Sequence, residues 1–257
     1  MKGISVQQLD LTLGGREILS GINATFHCGE LTTLLGPNGT GKTTLLKAMM
    51  GQYPYAGQIQ AIQGQADVKK HRFSYLCQLA SSASQLTVIE VVLLGLVHEL
   101  GLRITSEQEY QAETILTELG LSALATRRFH TLSGGQQQLV SLAQTLISKP
   151  EVLLLDEPTS ALDLRHQIQV LELAKDYTRT QNAVTIAVLH DLSLAARYSD
   201  QLVLLHQGKV RCSGVPEDVC LPEVLSDVYQ VGIDVGYCQQ GHLHITPVHL
   251  AEGTVQS

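Results

Sequence analysis

Leu31-Thr32-Thr33-Leu34-Leu35-Gly36-Pro37-Asn38-Gly39-Thr40-Gly41-Lys42-Thr43-Thr44 is the stretch that decides the fold. Residues 31–35 form a short apolar run that reads as a strand. It ends in a glycine loop, and Gly36 to Thr43 fit the pattern G-x-x-x-x-G-K-[ST]. A helix should follow from Gly41 to about Met50, with Leu45, Ala48 and Met49 on one face. The glycines let the backbone fold into a ring of N–H groups aimed at phosphate oxygens. The helix N-terminus faces the same anion. In that geometry Lys42 supplies a point charge for β- and γ-phosphates, and the Thr43 hydroxyl ligates magnesium. The competing reading is a glycine turn that matches by chance. The strand before it and the helix-forming run after it argue against chance. The candidate phosphate-binding residues are Gly36, Pro37, Asn38, Gly39, Thr40, Gly41, Lys42, Thr43 and Thr44.

Further along, Val152-Leu153-Leu154-Leu155 is fully apolar and too short for a helix, so it reads as a central, buried strand. Residues 183–189 read as a second one, and residues 164–177 between them as a crossover helix. Two apolar strands joined by such a helix make a βαβ unit, hence a parallel sheet. Asp156 and Glu157 follow the first strand directly. Ligands of open α/β sheets bind at the carboxyl ends of strands. Asp156 suits magnesium, reached through a water, and Glu157 is placed to act as general base on an attacking water. Taken alone, the pair reads equally well as a strand end capped by acids.

Between these stretches stands Leu132-Ser133-Gly134-Gly135-Gln136. Ser133 and Gln136 have the spacing of a capping box, and Leu139, Leu142, Ala143 and Leu146 share one face of the helix that should follow. Gly134 and Gly135 clear space beside that helix N-terminus, which makes a second anion site apart from the glycine loop. Upstream, the alternation around Ile22, Ala24 and Phe26, and the segments 57–62 and 73–77, read as strands. From Thr87 to about Leu124 the pattern turns helical, with Thr105 opening a helix. Residues 222–229 read as a helix, and residues 231–257 as a small β appendage with no function assigned.

Bulk properties bound the choices. The 257 residues suffice for one large α/β domain with a sizeable core. Hydrophobic residues at 44% and charged residues at 16% fit a globular chain. A net charge of −7 with scattered basic residues argues against nucleic acid as a partner. The short clusters Lys69-Lys70-His71-Arg72 and Arg127-Arg128 read as solvated loops. Five cysteines, none at C-x-x-C spacing, fit free thiols in a reducing compartment. No segment reaches the ~18 uninterrupted apolar residues of a spanning helix. The start of the chain lacks the apolar stretch of a signal peptide. The chain is therefore expected in the cytosol, with any membrane role exercised through a partner.

Taken together, the Gly36 loop, Leu132-Ser133-Gly134-Gly135-Gln136 and Leu154-Leu155-Asp156-Glu157-Pro158 resemble the motifs of an ATP-binding cassette (ABC) ATPase, in the family's order and across nearly the whole chain. The resemblance implies a P-loop NTPase core of class α/β with a mostly parallel sheet, an N-terminal antiparallel β subdomain and an inserted helical subdomain. It places the ATPase domain at residues 1–230, with the helical signature subdomain at about 79–150, and leaves 231–257 as the appendage. ATP and Mg2+ are the implied cofactors. Gln78 matches the family's Q-loop glutamine, which senses magnesium and the attacking water. His190 matches the switch histidine at the γ-phosphate. Asp163, in Ser160-Ala161-Leu162-Asp163, matches the D-loop residue that reaches across a subunit interface. The implied assembly is a head-to-tail homodimer, in which ATP on Lys42 of one copy is closed over by Ser133, Gly134, Gly135 and Gln136 of the other. One departure stands out: the family's adenine-stacking aromatic falls at Leu13, which leaves two readings, a base stacked on the Arg16 guanidinium instead, or a base held weakly with the phosphates carrying most of the affinity.

One loop and one signature make one cassette. A lone cassette of this size looks most like a bacterial importer subunit, peripheral on the cytoplasmic face of the plasma membrane. Residues 79–101 would dock a transmembrane permease, with a periplasmic binding protein as an indirect partner. Asp156 to Gln167 and His190 to Asp200 resemble the iron-siderophore, haem and cobalamin group. The alternatives are a regulatory cassette that uses ATP as a switch on a soluble protein, and a P-loop enzyme outside the family. No N-K-x-D guanine reader supports the latter.

Overall fold

The computed structural model describes residues 1–63, 72–77, 85–97, 104–160 and 162–250. Gln78 and Ala161 lie outside the described residues, as do parts of the 79–101 segment and the last seven residues of the appendage.

A six-stranded sheet forms the centre. Its order is β5 (Phe73–Leu76), β6 (Val152–Asp156), β7 (Val184–Val188), β3 (Leu31–Leu35), β8 (Gln201–His206) and β9 (Lys209–Gly214). The first five strands run parallel, and β9 closes the edge antiparallel to β8. Every residue of β3, β6 and β7 is buried, as a parallel sheet covered on both faces requires. The segments 152–155 and 183–189 are therefore the neighbouring central strands that their largely apolar runs imply. The helix between them, α5 (Leu164–Thr180), makes the crossover.

Alternate residues of each strand serve two different cores. Leu34, Val152, Leu154, Val203 and Leu205 face α1 (Lys42–Met49) and a three-stranded antiparallel sheet. That sheet has the order β2 (Arg16–His27), β1 (Gly3–Leu13), β4 (Ala56–Ile62). Leu31, Leu35, Leu153, Leu155 and Leu204 face the opposite way, into a helical layer. This layer contains α2 (Val88–Leu93), α3 (Ser106–Glu118), α4 (Gly134–Leu146), α5, α6 (Leu192–Tyr198), α7 (Pro216–Val219) and α8 (Pro222–Tyr229). The antiparallel N-terminal strands, the mostly parallel centre and the helical layer are the architecture the sequence implies.

The chain ends in a hairpin, β10 (Val231–Tyr237) with β11 (Leu243–Leu250). Ile233, Leu243 and Ile245 of this hairpin are buried in the same core as the helices. Ser193 of α6 bonds the backbone of Ile245 on both sides, accepting from its N–H at 3.0 Å and donating to its carbonyl at 3.4 Å.

Strand register sets up the site. Leu34 pairs with Val188 and Asp156 pairs with the same Val188, so β3, β6 and β7 end at one level. The glycine loop, Asp156-Glu157 and His190 all leave the sheet along that edge.

Candidate active site

The 36–43 loop joins β3 to α1 as a tight cradle. Gly36 has φ 137, and a Cβ there would lie 2.2 Å from the Leu205 carbonyl oxygen. Gly41, at φ 97, is the residue from which α1 departs, and a Cβ there would strike the Leu19 side chain. Both positions thus need glycine for backbone angle and for space. Pro37 and Thr40 brace the loop through a Thr40 hydroxyl to Pro37 carbonyl bond of 3.0 Å.

Lys42 is buried, and its Nζ donates to the carbonyls of Gly36 at 2.6 Å and Pro37 at 2.9 Å. The ammonium therefore lies folded into the cradle. Burial pulls its pKa below the ordinary lysine value, against the opposing pull of Glu157 and Asp156. A buried cation beside two carboxylates and a ring of amides is a setting that an incoming polyanion would complete.

Asp156, at the end of β6, is 5% exposed. Its Oδ1 accepts from the Thr43 hydroxyl at 2.8 Å and its Oδ2 from the Tyr75 hydroxyl at 2.7 Å. Burial first, and then the Asp156 carboxylate, push the Tyr75 pKa up, which keeps the phenol a donor. The oxygens gathered here are hard donors of the kind magnesium takes, and magnesium is usually held by one or two carboxylates together with substrate phosphates. Among the described residues no three His, Cys, Asp or Glu converge to hold a metal unaided. The residues present fit a metal that arrives with its phosphates.

Glu157 adopts φ 52, in the left-handed region that a non-glycine residue seldom occupies. The turn carries its side chain to His190, whose Nε2 lies 2.7 Å from Glu157 Oε1. The Glu157 backbone is fixed on both sides: its N–H donates to the Val188 carbonyl at 3.2 Å, and its carbonyl accepts from the Ser160 hydroxyl at 3.0 Å. Lys42, Thr43, Asp156, Glu157 and His190 thus form one cluster at the sheet edge.

A second cluster opens the helical layer. Ser133 caps α4, accepting from Gln136 N–H at 3.4 Å, while its own N–H donates to Gln136 Oε1 at 3.1 Å. This is the capping box expected from the spacing. Asp163 caps α5 in the same manner, accepting from the His166 N–H at 2.9 Å. The His166 ring turns back so that Nδ1 lies 2.7 Å from Asp163 Oδ1, and the ring fills the space beside Gly135, where a Cβ would approach it to 2.7 Å. His166 therefore ties the Asp163 turn to the signature glycines. Asn38, Gly39, Ser133 and Gly134 are exposed, and no side chain lies within 4 Å of where a Gly134 Cβ would stand.

Three residues that local sequence patterns do not single out belong to these clusters: Tyr75, His166 and Tyr229. Tyr229, at the end of α8, accepts from the Gly36 N–H at 2.9 Å, and burial pushes its pKa up to about 12. Leu13 is half-buried at the end of β1 and Arg16 is exposed at the start of β2.

Residues 19–160 match the family model described as ABC transporter. The chain is 34% identical to a hemin import ATP-binding protein of Mesorhizobium japonicum, over 93% of this chain and 96% of that one. It is 39% identical to the protein of the same description in Vibrio cholerae, over 89% and 92% respectively. Among solved structures, a metal-chelate type ABC transporter caught facing inward superposes with TM-score 0.86 at 27% identity, covering 97% of this chain and 98% of that one. The cassette cbiO1 of Clostridium perfringens, part of the ABC transporter complex cbiONQ, gives TM-score 0.74 at 26% identity, over 87% and 92%.

Proposed function

The chain belongs to the ABC transporter family as an ATP-hydrolysing importer subunit, and from that premise we propose that it drives uptake of haem or a related metal chelate through a separate permease. What carries the substrate class is the 34–39% identity, over about nine-tenths of the chain, to proteins described as hemin import ATP-binding proteins. Iron-siderophore and cobalamin uptake are the neighbouring possibilities within the same chemistry of bulky metal chelates.

In this reading the 36–43 amides and the Thr44 turn cradle the triphosphate, and Lys42 leaves the Gly36 and Pro37 carbonyls to meet the β- and γ-phosphates. Thr43 and Asp156 would hold Mg2+, which would supply neutralisation of phosphate charge. Glu157 takes the proton of the attacking water, and His190 holds the Glu157 carboxylate in place and reaches the γ-phosphate. The signature residues Ser133 to Gln136 of a second copy close the site, with Asp163 at the same interface. Two helix N-termini then converge on one polyanion, so that ATP joins the copies and its hydrolysis releases them. Gln78 belongs to this reading as the metal sensor.

The permease surface is proposed at 79–101. The described part of that segment supports it: Leu86, Leu94 and Val97 are 37%, 41% and 53% exposed, while Val88, Val91 and Val92 anchor the segment in the core. Among the described residues no helix is long and apolar enough to cross a membrane. The location proposed, on the strength of the permease partner, is peripheral, on the cytoplasmic face of the plasma membrane. A periplasmic binding protein would deliver the substrate from the other side. The test is genetic. A strain without this chain should fail to grow with hemin as sole iron source, and the wild-type copy but not a Glu157→Gln copy should restore growth. Normal growth on hemin, with loss of growth on a ferric siderophore or of cobalamin use, would reassign the substrate.

A further inference from the structure

Asp156 is held from both sides. Thr43 Oγ1 donates to one carboxylate oxygen at 2.8 Å, and the Tyr75 hydroxyl donates to the other at 2.7 Å. Tyr75 stands on β5 directly opposite Leu154 of β6, and its ring packs with the apolar cluster that holds Val152 and Leu154. Packing therefore fixes the ring, and the ring fixes where the hydroxyl points. A carboxylate on its own has a broad terminal torsion. Two donors on opposite oxygens remove that freedom.

We propose that Tyr75 is a positioning residue for the magnesium site, its hydroxyl setting the plane of the Asp156 carboxylate so that Oδ1 stays aligned with Thr43 and the incoming metal. This rests on the reading of Asp156 as the magnesium carboxylate. The partners of metal-binding side chains commonly matter nearly as much as the ligands themselves, and their loss weakens metal binding by roughly 10–100-fold. The location adds a consequence. Strand β5 leads into Gln78 two residues after Leu76. In sequence, the strand that precedes the proposed metal-sensing glutamine thus also carries the hydroxyl that orients the metal carboxylate.

Tyr75→Phe removes one oxygen and keeps the ring. The probe is Mn2+, titrated into protein carrying ATP and followed by the electron paramagnetic resonance signal of free metal. Y75F should bind Mn2+ about tenfold more weakly, with unchanged affinity for ATP in EDTA; because it takes a donor from a buried carboxylate oxygen, it should also melt a few degrees lower. In turnover, the Mg2+ concentration for half-maximal rate should rise while kcat at saturating Mg2+ holds. Tyr75→Leu removes ring and hydroxyl together. If Y75F keeps wild-type Mn2+ affinity and only Y75L loses it, the ring matters by packing and the proposal fails. Tighter Mn2+ binding by Y75F would also overturn it, because the hydroxyl would then be a competitor of the metal. Asp156→Asn separates the two readings. Should D156N bind Mn2+ as well as wild type does, the assignment of Asp156 is at fault; should D156N lose it while Y75F does not, only the role of Tyr75 falls.

Discussion

Glu157 has a left-handed backbone at the last turn of a buried strand, and its carboxylate meets His190 at 2.7 Å. Both features follow from position. The Val188 carbonyl holds the Glu157 N–H, so the chain must bend sharply there to leave the sheet, and the bend points the carboxylate along the sheet edge toward His190, two residues past the end of β7. His190 Nε2–H engages one carboxylate oxygen and leaves the other for a water. Glu157→Gln preserves the shape and still offers His190 an acceptor, but it cannot take a proton. Steady-state ATPase should fall by about 10²–10⁴-fold, the usual contribution of a general base, with ATP affinity within a factor of about two by fluorescence titration. Retained turnover would move the base elsewhere. Lys42→Ala should behave in the opposite way. It removes a charged donor worth about 1.5–3 kcal/mol, so ATP binding should weaken by tenfold or more in the same titration.

At the scale of elements, the molecule depends on how the ends of strands and helices are fixed. Tyr229, the last residue of α8, accepts the N–H of Gly36, the first residue of the glycine loop. That bond ties the C-terminal helix to the catalytic edge. The hairpin beyond it is tied to α6, the helix after His190, through Ser193 and Ile245. Tyr229→Phe leaves a buried N–H without its partner and should cost about 1–3 kcal/mol. For a chain of this size that is a fall in Tm of several degrees by calorimetry. An unchanged Tm would mean that the helix packs without help from the loop. The same elements explain what the sequence reveals. The glycine loop, Asp156-Glu157 and the Ser133–Gln136 box are local: each is a few consecutive residues whose spacing dictates the backbone, so strand, turn and cap are legible directly. The parallel sheet is legible because β3, β6 and β7 are short, mostly apolar runs, and every residue in them is buried. Tyr75 and Tyr229 are invisible to such reasoning because their partners lie 81 and 193 residues away, and only strand order and helix packing bring them together. His166 lies between these cases. The Asp163–His166 spacing is that of an N-cap, but the fit of the ring against Gly135 comes from the crossing of α4 and α5.

On the scale of the whole molecule, the two clusters ask for a second copy. One chain offers a phosphate cradle at the sheet edge and a separate capped helix start, with Ser133 and Gly134 exposed and open space beside Gly134. The proposed head-to-tail dimer would set the helix start of one copy over the cradle of the other, twice. With hydrolysis blocked, ATP should hold that dimer together: E157Q with ATP and Mg2+ should run at twice the monomer mass in light scattering, and without ATP as a monomer. The sharper test adds Gly134→Asp. A side chain at position 134 meets nothing in the monomer. An acidic residue in the first turn of a helix is favourable by roughly 0.3–1 kcal/mol through the helix dipole. The double variant should therefore fold at least as well as E157Q and bind ATP as tightly, because its cradle is untouched. Facing the triphosphate of a twin, however, the same carboxylate sets negative charge against negative charge in a closed, poorly solvated gap, where like charges repel far more than they do in water. Dimer should be lost while binding is kept. Dimer formation undiminished by G134D would place the interface on another surface, and loss of ATP binding by the monomer would mean that the helix start serves the cradle of its own chain.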